Sequence, residues 1–153
     1  MNPIRQILVP ADFSEPSRAA LDYAAALARP LAASVDVLHV WEVPAFVPPT
    51  AFFELSGGDA SLVEIMRRNA ESQLADFVAD ATKRGVQVRA AFAELGPPSP
   101  TIAEFARHRG YDLIVIGTHG RTGLAHALIG SVAERVVRHA PCPVLAVRQA
   151  ESR

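Results

Sequence analysis

The stretch GTHGRTGLAHALIGS, Gly117 to Ser131, sets four glycines and a closing serine between the apolar run DLIVI and the amphipathic run VAERVVRHA. Glycine lacks a β-carbon, so backbone N–H groups can turn toward an anion and phosphate oxygens can approach the main chain. The spacing is Gly117-x-x-Gly120, then nine residues to Gly130-Ser131. A helix opening at Gly130-Ser131 would aim its unpaired N–H groups and its dipole at negative charge. That chemistry holds a phosphate chain; it does not by itself break a bond. His119 and Arg121 lie inside the stretch and could donate to phosphate, although solvation accounts for them equally well. Ser131-x-x-Glu134 also has the form of a capping box, so the serine serves either a ligand or the helix.

Two other phosphate motifs are excluded. No glycine in the chain is followed by lysine, which a Walker loop requires, and the first strand runs into PADFSEP instead of Gly-x-Gly-x-x-Gly. Arg135, Arg138 and His139, near the end of a short helix, suit its dipole. The single cysteine, Cys142, excludes an internal disulfide, and between two prolines it reads as a small packed residue.

The elements that must hold this stretch follow from hydrophobic period and punctuation. IRQILVP is a β-branched run closed by proline, and SEPSRAALDYAAALA opens with serine and proline as a helix does. SVDVLHV alternates like a strand, and the long run from Ser61 to Gly85 sets Leu62, Ile65, Met66, Leu74, Phe77 and Val78 at helical spacing. VQVRAAFA predicts a third strand, and SPTIAEFARHRG a helix capped by Ser99 and stopped by Gly110. DLIVIG is apolar enough for a central strand, SVAERVVRHA is a short helix, and CPVLAVR a fifth strand. Strands alternating with helices imply an α/β architecture with a mostly parallel sheet, because parallel neighbours need crossover connections. The region from Trp41 to Ala60, rich in proline and phenylalanine, is long for a connection and is expected to be a lid, a partner-facing loop or an insertion patching the core.

The chain has 153 residues, half of them apolar, which predicts one domain over 1–153. Its 15 basic and 16 acidic residues give a formal charge of −1, which argues against nucleic acid and anionic membrane as main partners. No apolar run approaches the roughly 18 residues that span a bilayer, and MNPIRQILVPAD lacks the apolar core of a signal peptide; a cytoplasmic location is expected.

With these residues in place, the chain resembles the universal stress proteins. The resemblance is carried by ILVPADFSEPSRAAL, VLHV and DLIVIGTHGRTGLAHALIGSVAERVVRHAPCPVLAVR, nearly the whole length. It implies an open, Rossmann-like five-stranded parallel sheet in the order 3-2-1-4-5, with helices on both faces and the end of the first strand beside that of the fourth. It also implies the ATP-binding branch of the family, whose Gly-x-x-Gly-x9-Gly-Ser/Thr pattern is met at Gly117, Gly120, Gly130 and Ser131. By position, Pro10, Ala11 and Asp12 resemble the family's contacts to adenosine and Val40 its adenine wall. Ile116, His119, Arg121, Val132 and Ala133 flank the phosphate loop. Ala11 and Ala133 depart from the pattern, standing where ATP-binding relatives often carry hydroxyls. The implied ligand is ATP with Mg2+, Asp12 holding ribose or the ion through water. The resemblance further implies a homodimer paired through the C-terminal strand and an unidentified protein partner for a stress-response or signalling module. A nucleotide-free interaction module and a slow ATPase are the alternatives; no strong general base or Walker lysine is present for fast hydrolysis.

Overall fold

The structure is a computed structural model and describes residues 3–46, 62–119 and 129–148. Within them the chain runs β1 (Gln6–Pro10), α1 (Glu15–Leu31), β2 (Ser34–Trp41), α2 (Leu62–Lys83), β3 (Ala90–Leu95), α3 (Pro98–Arg109), β4 (Leu113–Gly117), α4 (Ser131–His139) and β5 (Val144–Val147). The strands form one sheet in the order β3-β2-β1-β4-β5, with every neighbouring pair parallel. This is the α/β architecture and strand order expected above.

Alternation along β1 explains the layering. Ile7 and Val9 point into a cluster with Leu21 and Ala24 of α1 and Leu74 and Phe77 of α2. Leu8 points the other way, among Ile102 and Ala106 of α3 and Ala133 and Val136 of α4. A strand buried on both faces must be apolar at every position, which is why β1 and β4 read as unbroken runs. Each such leucine or isoleucine contributes about 1.5–3 kcal/mol by leaving water. The alanines of α1, Ala20, Ala24 and Ala28, let that helix lie close to the sheet.

Three local expectations are corrected. Ile65 is 48% exposed, because the buried face of α2 begins only at Ala70 and continues through Leu74, Phe77 and Ala81. Ser99 does not cap α3: the helix starts at Pro98 with Pro97 as its cap residue, and Ser99 is buried inside the first turn. β3 begins at Ala90, later than the predicted VQVRAAFA, although Arg89 N–H already donates to the Val35 carbonyl at 2.8 Å. Gly110 closes α3 in the left-handed region as expected. Of the region from Trp41 to Ala60, residues 47–60 lie outside the described residues.

At the amino end of the sheet a buried carboxylate ties three elements together. Asp36, 1% exposed, accepts from Tyr111 Oη at 2.7 Å and from Arg89 Nε at 2.9 Å, and also from Arg89 Nη2. Arg89 Nη2 reaches on to Gln6 Oε1 at 3.0 Å. A buried charge is tolerable only when paired in this way. Asp112 Oδ2 accepts from the N–H groups of Arg5 and Gln6 at 2.8 and 2.9 Å, fixing the start of β1.

Burial, and then the bond to Asp36, push the Tyr111 hydroxyl well above the ordinary tyrosine value of 10.0. A group whose folded pKa is raised stabilises fully below its unfolded pKa, and that contribution fades as pH rises past it. Tyr111→Phe should therefore lower unfolding free energy at pH 7 by about 1.5–3 kcal/mol, one hydrogen bond to a charged group, in urea melts. It should also flatten the loss of stability that the wild type shows above about pH 10. An equally steep alkaline loss in both proteins would remove Tyr111 as the cause.

Candidate functional site at the carboxyl end of the sheet

The first wall is the exit from β1. Ala11 N–H donates to Leu38 O at 2.9 Å, one step beyond the last registered pair, Pro10 with Leu38. The chain then reverses at Phe13, whose φ of 67° lies in the left-handed region. That conformation costs a bulky residue about 1–3 kcal/mol, and aromatic packing holds it there. The Phe13 ring lies 4.2 Å from His39 and 5.4 Å from Phe77, centroid to centroid. His39 Nδ1 donates to the Ala11 carbonyl at 2.8 Å, so β2 braces the turn it faces.

Asp12 sits on that turn. Its Oδ1 accepts from Ser14 N–H at 3.0 Å and from the Ser14 hydroxyl, and the same hydroxyl caps α1 by accepting from Ser17 N–H. Asp12 is thus a contact at the start of α1.

The second wall is the exit from β4. β1 and β4 are in register at Ile7–Leu113 and Leu8–Ile114, and the same step carried upward sets Ala11 opposite Gly117. A β-carbon on Gly117 would lie 2.8 Å from both the carbonyl carbon and the oxygen of Pro16. Glycine is required here first by the first turn of α1 packed against the strand end. Thr118, 2% exposed, then makes the joint: its N–H donates to Val147 O at 2.9 Å, and its carbonyl accepts from Gly130 N–H. Thr118 Oγ1 and His119 Nδ1 are 2.9 Å apart. The chain therefore leaves β4 and returns to the same point before α4 begins.

α4 opens with Gly130 as its cap residue, at φ −68° and ψ 155°, and Ser131 is the first helical residue. The capping box does not form, because the serine stands one position too late to cap; Glu134 bonds Arg138 Nη2 at 2.8 Å instead. The first-turn N–H groups of Ser131, Val132 and Ala133 have no intrahelical carbonyl to meet. Ser131 and Val132 are exposed, while the Ala133 methyl is buried. Ala11 is buried too, at 6% exposure. Hydroxyls at these two positions would point into the core, so their absence leaves the backbone of the site unchanged. His139 Nδ1 donates to the Arg135 carbonyl at 2.8 Å in the last turn, as the dipole reading expected.

Val40 lies half-buried on β2, against the cluster of α3 and α4. Leu38 O faces β1, so Val40, two residues on, turns its N–H and C=O the same way, beyond the last registered residue of β1. Ile116 is buried beneath the site. Gly120 and Arg121 lie outside the described residues. Cys142 packs against the lower cluster and burial pushes its thiol up, in keeping with a packed residue. Among the described residues no three His, Cys, Asp or Glu side chains converge as a metal cluster, and no helix is long and apolar enough to cross a membrane. Thr118, Phe13 and His39 went unnoticed in the sequence. The dipeptide Thr118-His119 after an apolar strand was visible, but its partners Val147 and Gly130 were not.

Comparison with known proteins agrees with this architecture. The universal stress protein family profile matches residues 3–148. A universal stress protein of Methanocaldococcus jannaschii is 36% identical over 150 residues, covering 97% of this chain and 84% of its own. The solved universal stress protein UspA from Lactobacillus plantarum superposes with a TM-score of 0.77 at 27% identity, covering 97% of this chain and all of its own. A family member from Arabidopsis thaliana, solved with AMP bound, has the same fold at 20% identity and a TM-score of 0.62, covering 96% of this chain and 93% of its own.

Gly117→Ala should destabilise the protein by about 1–3 kcal/mol, the usual penalty for forcing atoms into a packed contact. Thermal melts and urea titration would measure it. A variant as stable as the wild type would show that the α1 turn yields freely and that glycine is not needed for packing.

Proposed function

The chain belongs to the universal stress protein family, and on that premise we propose that it is a nucleotide-binding stress-response protein whose ligand is ATP. The observation that carries this reading is the joint at Thr118: it pins the free N–H groups of α4 beside the ends of β4 and β1, making a concentrated site for phosphate. The base would lie across Pro10, Ala11 and Val40, where the outward N–H and C=O of Val40 offer one donor and one acceptor to an adenine edge. Gly117, His119, Gly120, Arg121, Gly130, Ser131, Val132 and Ala133 would surround the phosphates, with Ile116 beneath them. The AMP-bound plant protein of the same fold supports an adenine nucleotide as the class of ligand.

Magnesium would be carried chiefly by the phosphates and water, as that ion prefers, with Asp12 at the exit of β1 as the carboxylate to assist. Asp12 is committed through Oδ1 to Ser14, so its charge would act on the ribose or the hydrated ion. By titration calorimetry the wild type should bind Mg-ATP with at least micromolar affinity. Asp12→Asn keeps an acceptor for Ser14 and removes only the charge; it should weaken binding about tenfold, or 1.4 kcal/mol. Equal affinity for the variant and for wild type in chelator would take Asp12 and the ion out of the site.

The second part of the proposal is a homodimer through β5. Ile114 N–H donates to Pro143 O and Thr118 N–H to Val147 O, so the odd residues of β5 face β4. Val144 and Ala146 therefore present their N–H and C=O to the open edge, a template for a second strand. Proline is tolerated where its missing N–H faces outward. Ala146→Pro should keep the fold by circular dichroism and sediment as a monomer; a variant that stays dimeric would place the interface elsewhere.

A further inference from the structure

Among the described residues, one flank of α1 has no cover. Ala20, Leu21, Ala24 and Ala28 face the sheet. Arg18 and Asp22 face α2, where Arg18 bonds Asp80 at 2.8 Å and Arg84 bonds Asp22 at 3.0 Å. The third side carries Tyr23, Leu27 and Leu31, spaced i, i+4, i+8 and so aligned along the helix. Tyr23 is 53% exposed and Leu31 42%. Leu27 is half-buried against the same core cluster as Leu145 and Val147 of β5. The apolar strip thus continues from the open strand onto the helix above it.

The opposite edge of the sheet is finished differently. There the Arg109 guanidinium lies over Phe92 and Phe105, 4.3 and 4.7 Å from the ring centroids, and covers the aromatic surface behind β3 with a charge. Among the described residues, the β5 edge joins its open backbone to a line of aliphatic and aromatic side chains. A four-residue strand cannot supply the roughly 800 Å² per partner that a stable interface buries. A tyrosine alone brings about 150–250 Å².

We propose that a second copy of this chain covers the Tyr23–Leu27–Leu31 flank of α1, so that helix and strand together form the dimer interface. This rests on the β5 pairing proposed above. Two-fold antiparallel pairing puts Leu145 and Val147 of each copy on the same side of the joined sheet, within reach of the partner's Tyr23 and Leu31. The flank then decides how tightly the dimer holds, while the strand decides where it forms.

Sedimentation equilibrium on the full chain tests this with three variants. Tyr23→Glu combined with Leu31→Glu should raise the dimer dissociation constant at least tenfold, with the circular-dichroism spectrum unchanged. Ile65→Glu, equally exposed but on α2, should leave the constant at its wild-type value. If the double variant dimerises like wild type while Ala146→Pro is monomeric, the flank is not in the interface and only the strand reading stands. If Ile65→Glu weakens the dimer as much as the double variant, added charge alone is the cause and the proposal falls. A wild type that is monomeric at every concentration overturns both.

Discussion

The carboxyl end of this sheet depends on one close approach, between the last residue of β4 and the first turn of α1. A β-carbon at position 117 would stand 2.8 Å from the Pro16 backbone, inside any tolerable contact. With glycine there, α1 can start directly above β4, and the β1–α1 turn must be short enough to deliver it. The left-handed Phe13, the Ser14 cap and the Asp12 contact are the means by which the chain makes that turn. Thr118 follows at once, joining β5 on one side and the start of α4 on the other. The backbone of the proposed phosphate site is thus a consequence of packing before it is an adaptation to a ligand.

The two ends of the sheet divide the work. At the amino end polar groups are consumed internally: Asp36 takes Tyr111 and Arg89, and Asp112 takes the first N–H groups of β1. Those bonds tie the segments leading into β3 and β4 to β2, and the start of β1 to the segment before β4. At the carboxyl end the backbone is turned outward, at the start of α4 and at Val40. Ligands of open parallel sheets bind where strand order reverses, and β1 and β4 are the strands that part there.

Much of this was legible in the sequence because it is periodic. β1 announced itself as a strand, β4 as a buried central strand, and Gly110 and Gly85 as helix ends, from local chemistry alone. The strand order came instead from resemblance to a family, since nothing in the composition dictates it. Ile65 was misplaced because helical spacing cannot say where along α2 the sheet begins to cover it. Ser131 looked like a cap because Gly130, lacking any side chain, gives no sign of taking that position. Asp36 with Arg89 and Tyr111 was invisible because its partners lie 53 and 75 residues away. The roles of Ala11 and Ala133 were read from relatives as lost contacts, and only their burial showed that their side chains face the core.

The central claim is that exposed backbone at the switch point, rather than any catalytic side chain, receives an adenine nucleotide. Amide chemical shifts of the 15N-labelled protein, followed through titrations with Mg-ATP and with adenosine, test it residue by residue. The account predicts that both ligands move Val40, and that only ATP moves Ser131, Val132 and Ala133 at the head of α4. Shifts confined to residues at the amino end of the sheet, or an unchanged spectrum at millimolar ATP, would contradict it.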